Sequence, residues 1–179
     1  MQFNNRQNER VELKDGRIVW LSRATALVAI VVLELPDGGA FILMNKRGPG
    51  CPDEVGKWVL PCGYLDWDES GDEGCRREIW EETGVDVTKF YDTALYNDFA
   101  REQPCFIRHK PKSDNKQNLS HYYALISKVD ELPAVTFQHC EHNEVEEIRW
   151  VPMEEFDSLD IGFSHQNTVH YFYDNIWTN

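Results

Sequence analysis

Positive charge is scarce in this 179-residue chain: 18 lysines and arginines stand against 31 aspartates and glutamates, a formal net charge of −13. Nucleic acid and anionic membranes select a basic face, so this balance excludes a generic polyanion binder. Any anionic ligand must be held by something other than net charge, and divalent cations are the obvious candidates. Long apolar runs are missing too. The longest, residues 24–33, is interrupted by Thr25. It falls well short of the roughly 20 residues that span a bilayer, and it reads as a buried strand. Residues 1–12 are polar and lack the apolar segment of a signal peptide. No repeat, low-complexity tract or Gly/Ser/Pro linker divides the chain, so one domain is expected at this length. Cys51, Cys62, Cys75, Cys105 and Cys140 show no C-x-x-C spacing. An odd count of this kind points to free thiols in a reducing compartment and not to disulfides or zinc. These absences predict a soluble, cytoplasmic protein without nucleic-acid or membrane partners.

What is present supports a packed core, since 41% of residues are hydrophobic and 12% aromatic. Residues 23–35 and 40–46 read as strands joined by the turn Pro36-Asp37-Gly38-Gly39, a hairpin pattern. A loop over 47–56 leads to a short extended piece, 58–60, that ends at Pro61. A helix is predicted over 71–83. Ser70 and Glu73 have capping-box spacing ahead of it, and Gly84 fits the left-handed residue behind it. Strands follow at 91–99, 121–127 and 145–151, then a helix over 164–177 with Val169, Phe172 and Ile176 on one face. The order predicts a mixed α/β domain.

Inside the first helix, Glu78, Glu81 and Glu82 are spaced i, i+3 and i+4, so they share one wedge of its surface. Like charges so placed repel, strongly in a cleft, unless a cation neutralises them. Carboxylate oxygens are hard ligands suited to Mg²⁺ or Mn²⁺. Gly74, Cys75 and Ile79 lie on the other face, which should pack on the sheet. A solvated acidic helix is the alternative for such a run taken alone.

The run is not alone. Gly63, Glu69, Arg77, Glu78, Ile79, Glu81, Glu82, Gly84 and Val85 fill every specified position of G-x5-E-x7-R-E-U-x-E-E-x-G-U, with U aliphatic, and the stretch resembles the Nudix box. Gly56-x-Trp58-x-x-Pro61 resembles the segment that commonly enters the box, and residues 149–155 resemble the strand and helix start that close the domain. Cys62 departs from the pattern, because a second glycine commonly precedes Gly63; a small buried thiol is expected to alter the turn slightly and the chemistry not at all. The resemblance implies an α/β/α sandwich with a mixed central sheet over residues 23–179, residues 1–22 being an N-terminal extension. It implies Mg²⁺-dependent hydrolysis of a diphosphate bond in a nucleoside diphosphate linked to another moiety, with Mn²⁺ as a substitute. A non-nucleoside diphosphate substrate and a nucleotide-binding sensor without turnover are the alternatives. Dimers are frequent in the family, and a homodimer is open here.

On the same resemblance, Glu78, Glu81 and Glu82 are the expected metal ligands. Arg77 is expected to pair with Glu69 and orient Glu78, a bridge that serves structure or catalysis. Glu144, ahead of the last strand, occupies the place of a general base in some members, with Glu141, Glu146, Glu147 and His142 as competitors. Arg47 resembles a position that touches substrate phosphate. The stretch 101–118 is locally basic, with Arg101, Arg108, Lys110, Lys112 and Lys116 against Glu102 and Asp114. It is either a solvated loop or a substrate-side flap in which Arg101 contacts the anionic ligand. Tyr96 and Phe99 either stack on a base or belong to the core.

Overall fold

A computed structural model describes residues 9–21, 24–109, 118–136 and 143–177. A short antiparallel hairpin, Glu9–Glu12 (β1) with Ile18–Leu21 (β2), stands apart from the main sheet. The β-branched and leucine-rich segment Thr25–Glu34 (β3) has the composition of a strand covered on both faces, and Leu27 through Leu33 are buried throughout. It turns at Asp37–Gly39 into Ala40–Arg47 (β4).

The two strands pair only next to the turn, where Val32, Leu33 and Glu34 face Ile42, Phe41 and Ala40. Further along they part, and the chain fills the gap. Trp58–Val59 (β5) pairs with β4 at Asn45 and Lys46, and Cys62–Tyr64 (β6) pairs with β3 at Ala26 to Val28. Ala94–Asn97 (β7) and Phe106–Arg108 (β8) both add to Leu119–Lys128 (β9), which runs parallel to β3 in unbroken register from Thr25↔Leu119 to Glu34↔Lys128. Val145–Pro152 (β10) closes the other side on β4, giving the order β10-β4-β3-β9-β7.

Period-two alternation divides the core into two layers. Leu27, Ala29, Val31, Leu43, Tyr123 and Leu125 pack with Cys75 and Ile79 of helix Gly71–Thr83 (α1). Val28, Ile30, Val32, Ile42, Met44 and Ile126 pack with Val169 and Phe172 of helix His165–Phe172 (α2). A mixed sheet between two helices is the expected α/β/α sandwich. Among the described residues no helix is long and apolar enough to cross a membrane.

Helix α1 has the predicted bounds. The Glu73 carboxylate accepts the Ser70 N–H at 2.8 Å, and Gly84 ends the helix at φ 71°. A side chain on Gly74 would press on Leu27 and Glu69, so this glycine lets α1 lie close to β3.

Two predicted elements are corrected. Residues 91–93 belong to a 3₁₀ helix, Val87–Thr93, capped where Asp86 accepts the Thr88 N–H at 3.1 Å, and the strand that follows stops at Asn97. The last helix is α-helical only over His165–Phe172 and continues as a π-helical turn, Tyr173–Trp177. Phe99 is a core residue stacked on Tyr123 with ring centroids 5.6 Å apart, while Tyr96 meets Phe172 and Trp177 edge-on. Cys51, Cys62, Cys75 and Cys105 are free thiols, and Cys140 lies outside the described residues.

Candidate active site

Where β3 and β4 part, a cavity of about 830 Å³ opens, within the range of small-molecule sites. Glu78, Glu81, Glu82 and Arg77 of α1 line it, together with Arg47 and Asn45 of β4, Gly63 and Tyr64 of β6, Glu144, Phe163 and His165.

Arg77 organises the acidic side. Its guanidinium donates to both Glu69 oxygens at 2.9 and 3.0 Å, to Glu78 at 2.8 Å, to Glu81 at 3.0 Å and to the Tyr64 carbonyl at 3.1 Å. Glu69 is fixed in turn by the Asp66 N–H at 2.8 Å. This bidentate pair holds the Glu69 carboxyl below the usual carboxylate range and raises the guanidinium's already high pKa. Arg77 thus touches Glu69 and Glu78, the two residues with which the sequence grouped it.

Burial pushes the Glu78 carboxyl up, against the pull of Arg77. Glu82 is raised well above the ordinary value, first by burial and then by the Glu78 charge. The Cys62 N–H, at 3.0 Å, and the Asn45 amide donate to it and oppose that rise. Space for these carboxylates depends on Gly63, since a Cβ there would land on the Glu78 carboxylate.

The donor set suits a hard divalent cation. It consists of carboxylate oxygens, which are hard ligands, while burial pushes the nearby Cys51 and Cys62 thiols up. Among the described residues no group of three carboxylate, thiol or imidazole side chains stands arranged to hold a metal ion; Glu78 and Glu81 instead both accept from Arg77.

The opposite wall is built by the 47–57 loop and the start of α2. Arg47 donates to the Asp53 backbone and carboxylate, both at 2.9 Å, and its guanidinium lies 4.7 Å from the Phe163 ring centre. Phe163 and Ser164 both hold positive φ, 53° and 61°, a conformation that costs energy for residues with side chains. That turn brings His165 under the cavity, where its Nδ1 accepts the Leu60 N–H at 3.1 Å. The Glu144 side chain is exposed at the rim, and its carbonyl accepts the Gly48 N–H at 2.7 Å.

Other sequence candidates lie elsewhere. Glu146 pairs with Lys46 at 2.9 Å and Glu147 is exposed on β10; Glu141 and His142 lie outside the described residues. Arg101 does not line the cavity: it sits 5.0 Å above the Tyr96 ring, with Asp98 4.0 Å away. Arg108 is on β8 and not in a loop. It donates to Thr168 Oγ1 at 2.9 Å within 5.4–5.6 Å of the Phe106, Tyr122 and Tyr171 rings, which ties β8 to α2. Residues 110–117, with the three lysines, are outside the described set. Asn45, Phe163 and His165 were missed by the sequence reading. Asn45 left a signal, an amide directly after the buried run Ile42–Leu43–Met44; Phe163 and His165 left none, because the turn that delivers them is set by tertiary contacts.

A family model for the NUDIX domain matches residues 24–172. Over 46 residues the chain is 44% identical to a MutT-like protein of Streptomyces ambofaciens, a stretch that is 26% of this chain and 30% of that protein. It is also similar to the solved Nudix hydrolase RenU from M. smegmatis, at 19% identity and a TM-score of 0.63 over 95% of each chain. A bifunctional NMN adenylyltransferase/ADP ribose pyrophosphatase from Francisella tularensis, complexed with AMP and a Mn ion, matches at 16% identity and a TM-score of 0.66 over 86% of this chain and 42% of that one. At these identities the solved structures speak for the fold.

Proposed function

The chain belongs to the Nudix domain family, and from that premise we propose that it hydrolyses a diphosphate bond in a nucleoside diphosphate linked to another moiety, using Mg²⁺ or, in substitution, Mn²⁺. The observation that carries this reading is the gathering of Glu78, Glu81 and Glu82 on one wall of the cavity, with Arg77 and Gly63 fixing their place. The Mn ion and AMP in the Francisella structure accord with it.

Glu78, Glu81 and Glu82 are the residues that would hold the cation. When bound, it would offset the charge of the diphosphate and draw electron density from phosphorus. Arg77 acts through the glutamates, keeping Glu78 and Glu81 oriented by donating to both. Arg47, already fixed by Asp53 and Phe163, presents a positive wall to the phosphates. Water attacks phosphorus in line with the departing oxygen, and the Glu144 carboxylate at the rim accepts the proton that water loses.

The test is a panel of nucleoside diphosphate derivatives incubated with Mg²⁺, with products identified by mass. Release of a nucleoside monophosphate supports the reading, and turnover in excess chelator would refute it. Nucleotide binding without turnover across the panel would favour a sensor.

A further inference from the structure

We infer that Asn45 belongs to the cation site as a positioning residue: its amide N–H holds the Glu82 carboxylate, and its Oδ1 offers the water shell of the cation a neutral oxygen acceptor. The inference rests on the divalent-cation reading above and adds a residue outside the Nudix box.

Asn45 is 2% exposed, yet its Oδ1 has no hydrogen-bond partner. Leaving a buried amide carbonyl unpaired is costly, and such groups are rare enough that each calls for an explanation. A rotated amide does not remove the problem. The neighbour on the nitrogen side is Glu82, which accepts from Asn45, and in the charged form that would hold a cation its carboxylate has no proton to give in return. Turning the amide over would set oxygen against oxygen and leave the N–H group unpaired instead. Glu82 therefore fixes which end of Asn45 is nitrogen.

The backbone fixes where the oxygen can go. Asn45 pairs with Val59 of β5 on one side and with Ile148 of β10 on the other, so its Cα cannot retreat. Alternation along β4 puts Leu43, Asn45 and Arg47 on one face. Leu43 closes the core against α1, while Asn45 and Arg47 line the same cavity as Glu78, Glu81 and Glu82. A leucine or valine at position 45 would end the unpaired carbonyl but also give up the bond to Glu82, whereas a hard neutral oxygen beside carboxylates is useful to a hydrated Mg²⁺ or Mn²⁺.

The decisive measurement is Mn²⁺ binding to the full chain without nucleotide, read from the electron paramagnetic resonance signal of free Mn²⁺. Asn45→Leu keeps a γ-branched side chain and removes both polar ends; its Kd for Mn²⁺ should weaken about tenfold or more. Asn45→Asp keeps an oxygen and loses the N–H; it should bind Mn²⁺ at least as tightly as the wild type while melting at a lower temperature in chelator. Unchanged Mn²⁺ affinity in a cooperatively melting Asn45→Leu protein overturns the inference. So does weakened binding in Asn45→Asp, which decides the matter if the leucine variant does not fold. A wild type that binds no Mn²⁺ removes the cation reading itself, and this inference with it.

Discussion

Replacing Arg77 with alanine strips Glu69, Glu78 and Glu81 of a guanidinium that donates to all three within 3.0 Å. The Arg77 side chain is 27% exposed and those of Glu69 and Glu78 15% each, so water screens these pairs only in part. A fully buried pair broken on one side loses about 3–5 kcal/mol; the partial exposure here lowers the expectation to about 2–4 kcal/mol. For a chain of this size that is a fall of roughly 5–15 °C in Tm. The assay is thermal melting of both proteins in chelator and in Mg²⁺. A cation on Glu78 and Glu81 takes over part of the neutralisation, so the gain in Tm on adding Mg²⁺ should be larger in Arg77→Ala than in the wild type. Acid supplies a second readout. The Glu69 carboxyl is depressed by Arg77, so its contribution is fully present above its unfolded value, about 4.3, and is lost as pH falls through the lower folded value. The difference between the two proteins should therefore shrink below about pH 4. An unchanged Tm in chelator would refute the energetic argument. Equal losses with and without Mg²⁺ would reduce Arg77 to a structural bridge to Glu69.

Four further substitutions probe the site. Glu82→Gln should abolish hydrolysis by orders of magnitude and leave Tm in chelator equal or higher: its folded pKa is raised, so the charged form opposes folding above that value, and the variant removes the charge. Gly63→Ala, at a backbone without positive φ, should displace the Glu78 carboxylate and weaken Mn²⁺ binding about 10–100-fold with little change in Tm. Glu144→Gln should lower kcat about 10²–10⁴-fold with KM nearly constant; a near wild-type rate would move the base elsewhere. Arg108→Ala should cost about 1–3 kcal/mol of stability through lost ring and Thr168 contacts, while KM and its salt dependence stay as in the wild type; a raised KM at unchanged Tm would restore it to substrate guidance.

The acidic wedge could be read directly because its information is local. Capping residues, a terminal glycine and 3.6-residue periodicity act within one helix, and α1 begins and ends where they say. Residues 91–93 misled for the same reason: tyrosine and threonine favour strands, but the Asp86 cap and packing of the preceding turn prevail. The three-residue strands β6 and β8 left no pattern, being defined by partners far along the chain at β3 and β9. Arg108 shows the limit most plainly. Charge alone marked it as a surface group, whereas three rings drawn from β8, β9 and α2 surround it.

The parting of β3 and β4 decides which side of the cavity can give way. Segments β5 and β6 carry the rungs that the separated strands would otherwise lack, with pairs at Asn45, Lys46, Ala26, Leu27 and Val28. Swinging 58–64 aside to admit a ligand would strand main-chain donors and acceptors on both neighbours at once, each at about 1–3 kcal/mol. The carboxylate side is thereby braced by the sheet itself. Compliance is cheaper across the cavity, where the 47–57 loop meets the Glu144 carbonyl through the Gly48 N–H and the Cys51 thiol. Any adjustment of that loop is passed to the Glu144 backbone, so under the proposed roles substrate accommodation and proton acceptance would be mechanically coupled, against a braced carboxylate wall.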